Sequence, residues 1–210
     1  MKNLYLLFFL IAPIAAKANL KANPPQGEAW HLQSFLYMVE KHPKRLLNLG
    51  EKLFSDEHLL ESRKSPALAG EWRHRAAMLS SLSQFFHPQT ASAKNKENQK
   101  RATQILKKAL LEDPSLLVRD AAVDSIGRIN RMHPGITQHW KGSLEAAFLD
   151  KKNIVQDEGL FIRESILRLF KESGLRPTKK IRLAAKKDQN QAVRYMLNDW
   201  KTSTFESLEN

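Results

Sequence analysis

Mostly apolar side chains recur along this chain at the spacing of one face of an α-helix, and the whole series recurs about 44 residues further on. Within residues 118–129 they stand at positions i, i+3, i+4, i+7, i+8 and i+11. The same series begins 44 residues later at Ile162, 44 residues earlier at His74, and in shorter form at Val193. A one-sided helix must bury its stripe, and a fixed period of this length is typical of helical pairs that stack on their neighbours.

Prolines recur at a similar spacing, each just after a helix-like segment, where a proline can stop one helix or open the next. The prolines are separated by 45, 46 and 43 residues and are Pro43, Pro88, Pro134 and Pro177. Shorter apolar stripes mark a first helix in each unit, over residues 46–54, 102–110, 144–148 and 181–185. The sequence carries no alternating strand pattern and no Asn-Gly or Asp-Gly hairpin signal. It therefore predicts an all-α chain of about four helical pairs.

A second pattern does not depend on hydrophobicity. An arginine directly follows the first apolar residue of three stripes, and an aspartate stands six residues before each arginine. Aspartate occupies only 8 of the 210 positions, so three coincidences at one offset indicate a repeat. The pairs are Asp113 with Arg119, Asp157 with Arg163, and Asp188 with Arg194.

On these residues the chain resembles the HEAT-repeat family, whose repeats carry an aspartate in the turn between the two helices and an arginine after a valine in the second helix. The closest stretch is DPSLLVRDAA at 113–122, and the likeness covers about residues 101–200. In the unit before it, Arg75 stands in the place of the arginine, but Ala69 replaces the aspartate. The resemblance implies a right-handed α-solenoid, with its clearest repeats over 101–201 and divergent ones over 28–100.

The repeated charges are predicted to be structural and not catalytic. An aspartate in the turn can accept hydrogen bonds from the free amides that open the second helix. An arginine can reach an aspartate of its own or of a neighbouring repeat, which builds a ladder along the array. The predicted members of this ladder are Arg75, Asp113, Arg119, Asp157, Arg163, Asp188 and Arg194.

The two ends of the chain differ from the repeat. Residues 1–18 have a lysine at position 2, an apolar stretch over 4–16 and an Ala-Lys-Ala cleavage pattern, which together predict a signal peptide cut after Ala18. This stretch is shorter than the roughly 20 apolar residues that span a bilayer, so a membrane anchor is not expected. The alternative to a signal peptide is a buried N-terminal helix. We therefore expect a bacterial protein exported to the periplasm or secreted, an array over 19–201, and an acidic tail over 202–210 that frays.

The chain carries a formal charge of +12, which becomes +10 without the two lysines of the expected signal peptide. For an exported protein the available anions are membrane headgroups, envelope polymers and acidic proteins. Exposed aromatic residues do not interleave with the basic ones, so nucleic acid is a less favoured partner. The charge concentrates in two clusters, which form either a solvated surface or an anion-binding strip. The first comprises Lys94, Lys96, Lys100, Arg101, Lys107 and Lys108, and the second Arg176, Lys179, Lys180, Arg182, Lys186 and Lys187.

The residues that usually carry catalysis or metal binding are missing or poorly spaced. There is no cysteine, no His-Glu-x-x-His, no glycine-rich phosphate loop and no nucleophile elbow. His42, His87 and His133 belong to successive units, whose helices lie about 8–10 Å apart, so they cannot meet on one zinc ion. They are predicted to bind the free carbonyls near helix ends. We expect no catalytic residue, metal or cofactor.

These patterns favour a non-enzymatic scaffold or adaptor that binds a protein along the surface formed by the second helices. The alternative is a peripheral protein that binds an anionic membrane or envelope polymer through the basic clusters. An enzyme with an unrecognised site is a third, less favoured reading.

Overall fold

The computed structural model describes residues 39–64, 72–88, 95–155 and 159–205, and within them the side chains other than those of 154, 155, 159–161 and 199–205. The predicted signal peptide and the start of the predicted array lie outside these ranges. All regular secondary structure in the described ranges is helical, which confirms the all-α prediction.

The helices follow one another through short connections. In chain order they are α1 (Pro43–Leu53), α2 (Asp56–Lys64), α3 (Trp72–Ser83), α4 (Lys96–Glu112), α5 (Leu116–Met132), α6 (Lys141–Leu149), α7 (Lys151–Val155), α8 (Gly159–Glu172), α9 (Lys179–Lys186) and α10 (Gln191–Phe205). Short 3-10 helices follow α3 at Gln84–Phe86 and precede α6 at Ile136–Trp140. Helix α10 continues past residue 201, where the array was predicted to end.

The helices contact one another in two rows. The first row consists of α1, α4, α6 and α9, and each of these helices contacts the next. The second row consists of α3, α5, α8 and α10, again with each helix against the next. The rows are joined by contacts of α1 with α3, α4 with α5, α6 with α8, and α9 with α10. The short helices α2 and α7 stand in the connections between the two members of a pair.

The core lies between the rows and contains the apolar stripes that the sequence predicts. The completely buried stripe residues of α5, α8 and α10 are Val118, Ala122, Ile126, Ile129, Ile162, Ile166, Phe170 and Val193. In α3 the stripe is less complete, since Met78 and Leu82 are buried but Ala77 is exposed. The helices therefore pack through the faces on which the period was recognised, and the earliest described pair departs most from the pattern.

Two glycines reverse the chain after helices of the second row. Gly135 follows α5 with φ 90°, and Gly174 follows α8 with φ 65°. A side chain would clash with the backbone in this left-handed conformation, which glycine adopts without strain. These turns return the chain to the first row.

No helix in the part of the chain that the structure describes is long and apolar enough to cross a membrane.

Helix α1 approaches its neighbours most closely at Gly50. A Cβ atom there would lie 3.1 Å from Ile105 Cδ1 and 3.7 Å from Leu82 Cδ1, so α1 meets α4 and α3 without room for a larger side chain. We expect Gly50→Leu to lower the free energy of unfolding by about 1–3 kcal/mol through overpacking. Urea denaturation followed by circular dichroism measures this change. The control is Gly142→Leu in α6, where a Cβ meets nothing within 4 Å; equal losses would contradict the close packing at Gly50.

Candidate functional site

Arg75 and Asp113 form an ion pair that protein encloses completely. Arg75 lies on α3, and Asp113 is the C-cap residue that directly follows α4. The guanidinium donates from Nε to Asp113 Oδ2 at 2.7 Å and from Nη2 to Oδ1 at 3.1 Å. Neither side chain has exposed surface. The third nitrogen, Nη1, donates to Ser62 Oγ at 3.3 Å, so α2 joins the same contact.

Arg119 on α5 makes the next connection. Its Nη1 donates to Asp150 Oδ2 at 2.7 Å and to Asn153 Oδ1 at 3.2 Å. Its Nε donates to the backbone carbonyl of Asp113 at 2.7 Å. Asp150 is the C-cap residue that directly follows α6. Arg119 therefore joins the turn of its own helical pair to the turn of the following pair.

The third connection has the same form. Arg163 on α8 donates to the Asp188 carboxylate, and both side chains are almost completely buried. Arg194 on α10 donates to the backbone carbonyl of Asp188 and to that of Gln189 at 2.9 Å. Arg194 thus binds the turn before its own helix, as Arg119 does. Arg75, Asp113, Arg119, Asp150, Arg163, Asp188 and Arg194 are together called the arginine–aspartate ladder.

The three aspartates of the ladder share a further contact. Each carboxylate accepts a hydrogen bond from the backbone amide two residues further on, at 2.8 Å from Ser115, 3.0 Å from Lys152 and 2.8 Å from Asn190. Burial raises the pKa of Asp150, but the Lys152 amide and the Arg119 guanidinium outweigh it, so that the net pKa is lowered. One carboxylate therefore orders its own turn and holds the preceding helical pair.

The ladder differs from the sequence prediction at one position. The offset of six residues selected Asp157, which lies outside the described residues. The carboxylate that binds Arg119 belongs instead to Asp150. Helix α7 stands between Asp150 and Arg163 and lengthens that turn, so the constant offset does not hold there. The signal that identifies Asp150 is its place at the end of a first-row helix, and Asp113, Asp150 and Asp188 stand 37 and 38 residues apart.

Arg163 is the least satisfied arginine of the ladder. Its Nε and Nη2 are buried and have no hydrogen-bond partner in the part of the chain that the structure describes. Burial lowers the pKa of Arg163, while Asp188 acts in the opposite direction.

A groove runs between α5 and α8 on the surface of the second row. It has a volume of about 110 Å³, and its lining is mostly polar, with Val123, Gly127 and Leu169 among the lining residues. Its rim carries charges of both signs, Asp124 and Arg131 on α5 and Arg168 and Glu172 on α8. The Arg131 Nη1 atom lies 3.8 Å from Glu172 Oε2, so these two exposed side chains form an ion pair between α5 and α8. We call this feature the second-row groove.

Asp120 lies beside the second-row groove, next to Arg119 in sequence. Burial raises its pKa, the hydrogen bond from Ser165 lowers it, and the charge of Asp124 raises it again, so that the net pKa lies above the ordinary value. The Asp120 Oδ1 atom is buried and has no partner among the described residues. The second row therefore holds a carboxyl group whose ionised form is poorly stabilised.

In the structure the two basic clusters predicted from the sequence differ in the contacts that their side chains make. In the first, Arg101 donates to both carboxylate oxygens of Glu51 at 2.7 and 2.8 Å, and Lys108 donates to Asp56 Oδ1 at 2.6 Å. The Lys107 ammonium lies 5.8 Å from the centre of the Trp140 ring. Arg101 thus joins α4 to α1, Lys108 joins α4 to α2, and Lys107 lies against the 3-10 helix that precedes α6. Lys96 and Lys100 are exposed, and Lys94 lies outside the described residues.

The second cluster has no such partners. Its members are exposed, and none of them forms an ion pair or hydrogen bond through its side chain with any described residue. They surround and occupy α9, and they are Arg176, Lys179, Lys180, Arg182, Lys186 and Lys187. The charge of this cluster therefore faces solvent without a neutralising carboxylate in the described ranges.

The three histidines that precede prolines lie near helix ends. His133 directly follows α5, and its Nε2 is in hydrogen-bond contact with the carbonyl of Phe86, in the 3-10 helix after α3. His42 precedes α1 and His87 follows the 3-10 helix after α3. Within the described ranges no group of three or more His, Asp or Glu side chains is arranged to hold a metal ion.

No protein-family model matches this chain, and neither the curated proteins nor the solved structures contain a match.

Removal of Arg75 should expose the energetic role of the ladder. Arg75→Met leaves the Asp113 carboxylate buried without its cation, and we expect the free energy of unfolding to fall by about 3–5 kcal/mol. Arg75→Lys keeps the charge but loses the paired hydrogen bonds, so its effect should be intermediate. Urea denaturation measures both. The control is Arg45→Met at an exposed position of α1, with an expected change below about 0.5 kcal/mol; a similar loss there would refute the proposed weight of the ladder.

Asp120 should make stability depend on pH. Because folding raises its pKa, the native state binds the Asp120 proton more tightly than the unfolded state, and this contribution to stability is lost as pH rises through the folded pKa. We expect Asp120→Asn to raise the melting temperature at pH 7 by a few degrees at most and to change it little below about pH 4, the unfolded pKa. Calorimetry at the two pH values measures the difference. Glu61→Gln, at an exposed position of α2, serves as the comparison, and a loss of stability in Asp120→Asn at pH 7 would contradict the sign.

Proposed function

We propose that this protein is a non-enzymatic scaffold of the HEAT-repeat type, which binds a protein partner along the second row. In this proposal the helical pairs form a right-handed α-solenoid of about four repeats. The two-row packing and the ladder support it, since an arginine of one pair binds an aspartate of the next, and this happens three times along the chain. Repeats that contact only their neighbours present long surfaces suited to binding.

The observation that carries the binding site is the second-row groove. It brings together charged side chains of both signs that two adjacent helices contribute. On the other side of α5, Arg128 Nη1 donates to Ser80 Oγ of α3 at 2.6 Å, so polar groups continue along the row. A surface with charges of both signs fits a polar polypeptide segment with complementary charges better than an apolar helix.

Asp120 supports the same location. A carboxyl group whose ionised form is poorly stabilised costs stability, and such groups occur at binding sites more often than elsewhere. A cationic side chain of the partner placed near Asp120 would add to the counter-charge that Arg168 supplies. Partner binding and folding stability are therefore expected to place opposite demands on this position.

The proposed location in the cell follows from the sequence of residues 1–18. A charged start, an apolar stretch and a small-residue cleavage pattern support export to the periplasm or secretion, with cleavage after Ala18. The partner is then an envelope or extracellular protein.

Exchange of two charges in the groove tests the proposal. Asp124→Arg combined with Arg131→Glu keeps the net charge but reverses the pattern on α5, and both positions are exposed. The immobilised protein is incubated with an envelope extract at low and at high salt. We expect one discrete protein to be retained by the wild type at high salt and to be lost by this variant, since repelling charges at a small interface cost several kcal/mol.

The control for this experiment exchanges charges on α1 and α2, which do not line the groove. Lys52→Glu combined with Glu61→Lys affects exposed residues of α1 and α2 and also conserves net charge. The control should retain the partner as the wild type does. Retention by the groove variant and the wild type alike would exclude the second-row groove as the binding site.

A further inference from the structure

Helix α9 has one apolar face that enters the core and one that does not. Ile181 and Ala185 are completely buried against the neighbouring helices. Leu183 stands between them in sequence, but 49% of its surface is exposed. With 3.6 residues per turn, Leu183 lies on the side of α9 opposite to Ile181 and Ala185 and points away from the core.

Lysines surround this leucine. Relative to Leu183 they stand at i−4, i−3, i+3 and i+4, which are the positions that share one face of a helix. They are Lys179, Lys180, Lys186 and Lys187. Leu183 is therefore the centre of a basic face, which we call the α9 face. Arg182 and Arg176 are exposed beside it.

The charges of the α9 face have no partner in the part of the chain that the structure describes. The cations of the first cluster bind Glu51, Asp56 and the Trp140 ring, whereas those of the α9 face meet no acceptor in the described ranges. The aspartate next in sequence, Asp188, is buried and already binds Arg163. An unneutralised set of this size attracts an anionic partner.

The exposed leucine decides which anion fits. A soluble polyanion offers charge alone and leaves Leu183 in water. An anionic bilayer offers charged headgroups above an apolar interior, so that a leucine can enter while the lysine stems lie along the interface and their ammonium groups stay at the headgroups. We propose that the α9 face docks the protein on membranes that contain anionic phospholipids.

The α9 face and the second-row groove lie on different rows. Helix α9 belongs to the first row, and the groove lies between α5 and α8 of the second. A protein that lies on a bilayer through α9 keeps the groove in solution. Membrane docking thus goes beyond the proposed partner binding and does not depend on it.

Flotation of the full chain with lipid vesicles tests the proposal. Vesicles of phosphatidylcholine alone are compared with vesicles that also contain an equal amount of phosphatidylglycerol. Because the apolar stretch at 4–16 is common to all variants, differences between variants measure the α9 face. We expect binding to the anionic vesicles that weakens as salt rises. Lys179→Gln combined with Lys186→Gln should reduce the affinity about 25-fold, or about fivefold for each lysine.

Leu183 separates a membrane from a polyanion. Leu183→Asn should weaken binding to anionic vesicles about fivefold, because a half-exposed leucine no longer enters the interface. Its binding to a soluble polyanion such as heparin should not change. Circular dichroism of each variant checks that it is folded.

Two control variants match these changes elsewhere on the surface. Lys96→Gln combined with Lys100→Gln removes the same charge from exposed positions of α4, and Leu60→Asn changes a leucine of α2 that is 48% exposed. Both should bind anionic vesicles as the wild type does. Equal losses in the α4 lysine variant would assign binding to net charge alone, and an unchanged affinity of Leu183→Asn for vesicles would replace the membrane by a polyanion; either result overturns the proposal. Loss of vesicle binding with intact protein capture, or the reverse, distinguishes this proposal from the binding scaffold.

Discussion

The structure depends on a carboxylate that serves two helical pairs at once. Asp113 orders its own turn through the Ser115 amide and also binds Arg75 of the preceding pair. Apolar stripes alone fix which faces meet, but they allow one helix to slide along another at small cost. A buried charge must find its counter-ion or remain unpaired at a cost of several kcal/mol, so the ion pair selects one register. Asp150 and Asp188 extend the same selection along the chain.

Much of this arrangement could be predicted from the sequence, because it results from local patterns. The stripe of α5 and its copy in α8 predicted the helices and their buried faces. The place of Asp150 could not be predicted from a constant offset, since α7 lengthens one turn and only the end of α6 reveals the equivalent position. The sequence also could not separate the basic clusters. Lys108 reaches Asp56, which is 52 residues earlier, and only the packing of α4 brings the two together.

The groove and Asp120 were beyond reach of the sequence for a related reason. Asp120 directly follows Arg119 of the ladder, and an aspartate within a helix is typical of a position that faces solvent. Its burial arises when α8 packs against α5 and brings Ser165 and Glu164 towards it. Stripe patterns describe what a helix hides from water, whereas a binding surface depends on which polar groups two separate helices place side by side. The surface of the second row therefore depends on how the helices of neighbouring pairs pack against each other.

The position of the ladder has a mechanical consequence. Its ion pairs lie at the turns that lead from first-row to second-row helices, while the turns that return to the first row pass through Gly135 and Gly174. Charge-assisted hydrogen bonds are roughly twice as strong as neutral ones. The helices are therefore held together more firmly at the ladder than at the turns of Gly135 and Gly174. When the protein is bent, we expect the helices to spread or close at these two glycine turns, while the spacing of Asp113, Asp150 and Asp188 stays nearly constant.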